Sequence, residues 1–357
     1  MITGSLRFCL QKIHLVHTDI SINFEFNLSK SEMYNTYSLK STTIRLVILF
    51  VALQSFSAQA QFGKLGDIVN KGVGKALNSS QLKLLKSDPI TTNFDDCNQE
   101  KTLVADFGKD SVKTDLCTLS AQYTKTTGFR LKPGFYKGTF KSFCLQAGTY
   151  GPSRGDAYLF APLAGPKEKI ARTLIANWED HPEIEQSQVQ VLLWAIIAKT
   201  NFTKLSPDLQ ATAAILLSQK DLSALGSSVI DYLSGEAMQS LTQNLPEPAK
   251  TIVEIENKIR GMMYKANASY QEIESLAMLT GAAPVNEKFP RGIWSFHPDG
   301  YYIKYLPQGY SVTSVEIYVP QQAGTIDFLP TGDVAVPASR GSQRLGQSNI
   351  LICEQHD

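Results

Sequence analysis

Few residues in this 357-residue chain have the type and spacing to do chemistry, and cysteine leads them. Five cysteines occur, at Cys9, Cys97, Cys117, Cys144 and Cys353. Cys144 lies in "KSFCLQAGTYGP", behind an aromatic and ahead of a Gly- and Pro-rich turn. In an exported chain the default fate of a thiol is a disulfide. Cys97, Cys117, Cys144 and Cys353 allow three pairings. Cys97 with Cys117 closes a short local loop, which leaves Cys144 to meet Cys353. A second chemistry makes Cys144 a nucleophile with His181 of "EDHPEI" as its base, the logic of an envelope cysteine hydrolase. No Asn or Asp in a triad context supports that reading. A third chemistry begins from Gln190 in "VQVLLWAII". A carboxamide inside an apolar helix is costly unless it finds partners. No cysteine pair has zinc spacing and no histidine pair is four apart, so neither a metal nor a cofactor is expected.

The elements that must position these residues follow from periodicity. Residues 91–163 read as strands rich in aromatics and broken by Gly and Pro, with Phe135, Phe140 and Phe143 spaced as in a half-buried strand pair. Residues 166–280 switch to helical spacing. Ile170, Leu174 and Ile175 line one helix. Val189 to Ala198 is apolar nearly all round, as in a buried helix. Ser206-Pro207-Asp208 is a helix start. Ile252, Ile255, Ile259 and Met262 mark a long amphipathic helix over 247–266. Residues 286–357 return to strands around the Asp299-Gly300 and Gln308-Gly309 turns, a hairpin signal. The expected class is α+β: a β-rich N-terminal part, a helical middle and a C-terminal antiparallel β-domain. The boundaries expected are 91–281 for the first domain and 282–357 for the second.

Two of these stretches together resemble the thioester domains of bacterial surface adhesins. Phe143-Cys144-Leu145 is similar to that family's aromatic-Cys-aliphatic segment, with Gln146 where an acid is usual. Gln190 and Trp194 match its "TQxAIW"-type helix, with Val189 in place of Thr and Leu192-Leu193 in place of the small and branched residues. "IARTLIAN" falls where the family has an Ile/Leu-rich helix. The resemblance covers about residues 128–200. It implies that Cys144 and Gln190 condense into an internal thioester, that Phe143, Tyr158 and Trp194 shield it from water, and that an amine on a protein or surface target opens it to an amide. On that reading the chain attaches to a surface rather than catalysing a turnover reaction.

The start of the chain is read as an export signal. Lys40 and Arg45 precede an apolar run from Leu46 to Phe56, and Ala58-Gln59-Ala60 fits a cleavage site. Residues 1–60 are therefore expected to be a leader, with translation starting at Met33 and an upstream extension that is not part of the protein. Residues 61–90 read as a lead-in segment. The protein is expected in the periplasm, on the cell surface or outside the cell. Basic and acidic residues nearly balance, 34 against 33, so nucleic acid is not an expected partner. The apolar run is too short for a membrane span and none other is long enough. Arg154-Gly155-Asp156 spells an integrin tripeptide that arises often by chance. "LPTGD" at 329–333 lacks the apolar tail of a sortase signal. Glu179, Asp180, Glu183 and Glu185 cluster between two helices and are expected to be a solvated loop with favourable charge at a helix start.

Overall fold

The structure is a computed structural model that describes residues 88–226, 249–265 and 268–353, with a few positions between 239 and 247. The expected leader, Met33, Cys9, most of the lead-in segment, His356 and positions 248 and 266 of the long helix lie outside the described residues. The architecture is α+β, as expected. Its centre is a large antiparallel sheet in the order β1 (Thr102–Leu103), β8 (Trp294–Phe296), β9 (Tyr302–Pro307), β10 (Val312–Val319), β4 (Gly134–Cys144), β13 (Leu345–Leu351), β12 (Asp333–Pro337) and β6 (Tyr158–Pro162). A short strand, β2 (Thr114–Asp115), runs parallel to β4. The sheet curls into a half-barrel, and its two ends meet where Phe160 N–H of β6 donates to Ser295 Oγ of β8 at 2.9 Å.

β8, β9 and β10 form the expected meander, turning at Gly300 and Gly309, which both hold positive φ near 90°. β10 alternates half-buried and buried along its whole length, so Thr313, Val315, Ile317 and Val319 face inward. β4 is one continuous strand of 11 residues with β10 on one side and β13 on the other. A break between 281 and 282 would cut this sheet, because β4 precedes that point and both of its antiparallel partners follow it. Residues 91–357 are thus not two separate β-containing domains. The small pair β3 (Phe129–Leu131) with β11 (Ile326–Phe328) ties the two regions again, while β5 (Thr149–Tyr150) pairs with β7 (Met278–Leu279) within the first.

The helices pack beside the sheet. α1 (Glu168–Trp178) buries Ile170, Leu174 and Ile175, and α2 (Gln186–Ile197) buries every residue from Val189 onward. α3 (Pro207–Leu216) starts at Pro207 after Ser206, and α4 (Gln219–Leu225) follows it. α5 (Ala249–Met263) turns Ile255, Ile259 and Met263 into the core, while α6 (Tyr270–Ala277) is capped by a Ser269–Glu272 box. Two apolar cores result. One fills the curl of the sheet around Phe140, Tyr305 and Ile317; the other lies among the helices around Leu174, Trp194 and Ile259 and contains Cys144.

Among the described residues no helix is long and apolar enough to cross a membrane.

Candidate functional site

Cys144 ends β4, and its side chain is fully buried. α2 crosses that strand end with three residues in one i, i+4, i+8 row: Gln186, Gln190 and Trp194. Such a row lies on one helix face. Gln186 Nε2 donates to Ser142 O at 2.9 Å and to Ser311 O at 2.8 Å. Four residues on, Gln190 Oε1 accepts from Cys144 N–H at 2.8 Å and Gln190 Nε2 donates to Cys144 O at 3.0 Å. The carboxamide mimics a neighbouring strand, with one donor and one acceptor exchanged with one residue. Gln188 stands apart: its Oε1 caps the helix by accepting from Glu185 N–H at 3.2 Å. The anomaly of a glutamine in an apolar helix is thereby accounted for. Gln186 carries no motif of its own, and its signal in the sequence is its place four residues before Gln190.

The thiol itself donates to Gln146 O at 2.6 Å. Burial pushes it up to about 11, against smaller downward pulls from the Gln146 backbone, the Trp194 side chain and the Arg344 charge. Trp194 Nε1–H is buried with no hydrogen-bond partner, so its dipole is available to a charge on sulfur. Trp194 is in turn covered by Tyr270 and Tyr310, with ring centroids at 6.0 and 6.1 Å. These two phenols touch one another, and both donate toward Glu274 Oε1, Tyr270 at 3.2 Å and Tyr310 in closer contact. All three of these residues are half-buried, so this cluster lies between solvent and Trp194. Tyr158 completes the surroundings; it is fully buried, and burial, then the charges of Asp156 and Cys144, raise its phenol. Phe143 does not belong to the cover. Strand residues alternate, and Phe143 packs edge-on against Trp178 at 5.3 Å.

The disulfide expectation is corrected. The bond is Cys117–Cys353, with Cα atoms 5.7 Å apart, and Cys97 and Cys144 are free thiols. The sheet register explains it. Leu345 of β13 lies opposite Cys144, and the antiparallel strand then runs away from it past Phe140. Four residues of β13 oppose two of β4 at a register shift, so Cys353, eight residues beyond Leu345, is carried about 20 Å along the strand from Cys144. There it meets the 3-10 turn Leu116–Gln122, which β2 holds alongside β4. Cys97 is kept in a separate capped turn, where burial and then Asp96 and Asp95 push its thiol up to about 12.

His181 is not brought to Cys144: its Nδ1 faces Glu183 Oε1 at 2.9 Å. The four carboxylates of that loop also separate. Glu179 turns to Tyr123 and Asn349, Asp180 to Lys125, and Glu185 precedes α2. Asp156 of the Arg-Gly-Asp tripeptide is fully buried and accepts from Ser153 N–H and Ser342 Oγ–H, both at 2.8 Å. Among the described residues no group of three metal-ligating side chains comes together. No family model, curated protein or solved structure matches the chain.

Proposed function

We propose that the chain is an exported attachment protein in which Cys144 and Gln190 close an internal thioester. The observation that carries the reading is the two-point clamp of Gln190 on the Cys144 backbone. Attack of Cys144 Sγ on Gln190 Cδ would form the S–C bond and place negative charge on Oε1. Cys144 N–H already donates to that oxygen at 2.8 Å, the geometry of an oxyanion donor. The Cδ–Nε2 bond then breaks, and ammonia leaves with the thiol proton. A target amine would reverse the logic: its nitrogen bonds to Cδ, sulfur leaves, and the amine proton returns to the thiolate. The product is an amide and a free thiol. Trp194, Tyr270, Tyr310 and Tyr158 would exclude water in the resting state.

A second reading, a disulfide-stabilised binding protein without covalent chemistry, has its own observation. The Gln190 amide and the Cys144 thiol are each hydrogen-bonded, to the Cys144 backbone and to Gln146 O. That arrangement gives both side chains hydrogen-bond partners as it stands. Intact mass under non-reducing conditions separates the two. The thioester makes the protein one ammonia lighter than its sequence with one disulfide, and methylamine adds its full mass at Gln190. A chain at the plain disulfide mass that takes up no methylamine supports the second reading.

A further inference from the structure

A different face of the molecule carries a cleft that is independent of the Cys144 chemistry. Its volume is about 440 Å³, within the range of small-molecule sites. Its walls come from the 3-10 turn after β2, from the end of α1 and from the end of β13. Phe129, Trp178 and Leu351 supply apolar surface, and Tyr123 lies against Phe129 with ring centroids 5.1 Å apart. Two charges of opposite sign enter the same space, Glu179 and Lys141.

The carboxylate is prepositioned. Tyr123 Oη–H donates to Glu179 Oε2 at 3.0 Å, and Asn349 Nδ2–H donates to the same oxygen at 3.3 Å. Asn349 is itself buried and fixed, because its Oδ1 accepts from Thr331 N–H at 3.0 Å. Burial and then the carboxylate keep the Tyr123 phenol protonated and donating. Both bonds land on Oε2, which leaves Oε1 to a ligand. A carboxylate held by two placed donors on an aromatic wall suits an ammonium group. Lys141, on the strand beside β13, supplies the complement for an anion.

We propose that this cleft binds a small apolar zwitterion of the α-amino acid type, its ammonium against Glu179, its carboxylate toward Lys141 and its side chain against Phe129 and Trp178. The test is calorimetry on the full chain at neutral pH with three matched probes: phenylalanine, phenethylamine, which lacks the carboxylate, and 3-phenylpropionate, which lacks the ammonium. Phenylalanine is expected to bind saturably and at least about tenfold more tightly than either analogue. Glu179→Gln should erase its advantage over 3-phenylpropionate, and Lys141→Gln its advantage over phenethylamine, with thermal midpoints unchanged. No saturable heat with phenylalanine, an analogue that binds equally well, or unchanged affinity in both variants overturns the proposal.

Discussion

Cys117 and Cys144 are both governed by β4, yet they meet opposite fates. Beside the middle of the strand, Cys117 is joined to Cys353 at the rim of an open cleft. At the strand's end, Cys144 is sealed in a helical core with a carboxamide as its neighbour. The difference is one of register and water. β13 carries the chain's last cysteine away from Cys144, and α2 fills the vacated place with Gln190. A thiol at an accessible edge forms the ordinary oxidised link. A thiol in a dry core keeps its proton, and its reactivity depends on what the core holds beside it.

That contrast can be broken at several points. The largest effect should come from Gln190→Leu. Against the uncondensed chain it leaves the buried N–H and C=O of Cys144 without their partner, at a cost of about 4 kcal/mol. Urea unfolding should show the loss, and the ammonia-deficient mass should vanish with it. Gln190→Glu sharpens the point, since a carboxylate accepts from Cys144 N–H but has no hydrogen for Cys144 O. Next is the disulfide. Cys117→Ser with Cys353→Ser should cost about 3 kcal/mol, the usual worth of one disulfide. It should leave the mass signature at Cys144 intact. If that signature changes, the two cysteines are not independent.

Alkaline pH gives a comparable term. The Cys144 thiol is raised to about 11 when folded, above its ordinary value near 8.5. Its stabilising contribution is full below the unfolded value and is lost as pH rises through the folded one. Methylamine-opened protein should therefore lose about 3 kcal/mol between about pH 8.5 and pH 11, and Cys144→Ala should flatten that slope after allowance for Cys97. Unopened protein should lack the Cys144 share, since a thioester sulfur does not titrate. Smallest is Glu274→Gln. It swaps the charged acceptor of the Tyr270–Tyr310 pair for a neutral amide oxygen, which loosens the cover over Trp194 and should speed methylamine opening by about tenfold, read as the time course of the mass shift.

Much of this molecule was legible before any coordinates. The apolar run from Val189 to Ala198 could only be a buried helix, and Gln190 within it had to find a partner. The Asp299-Gly300 and Gln308-Gly309 turns marked the meander. What local pattern could not carry was pairing between distant strands. Nothing in "GFYKGTFKSFC" says that its neighbours are residues 312–319 and 345–351, so the single sheet looked like two domains and the cysteines were paired by proximity in sequence. Glu179 is the same lesson in miniature. Its acidic neighbours suggested a solvated loop, whereas Tyr123 and Asn349, 56 and 170 residues away, make it the anchored wall of a cleft.

The central question is whether Gln190 bonds to Cys144 covalently or only through hydrogen. Intact mass of the purified, non-reduced chain, before and after methylamine, reads this directly. The predicted result is a mass one ammonia below the disulfide-bonded sequence, rising by one whole methylamine in the wild type and in neither Cys144→Ala nor Gln190→Leu. A wild-type mass that equals the disulfide-bonded sequence and does not respond to methylamine contradicts it.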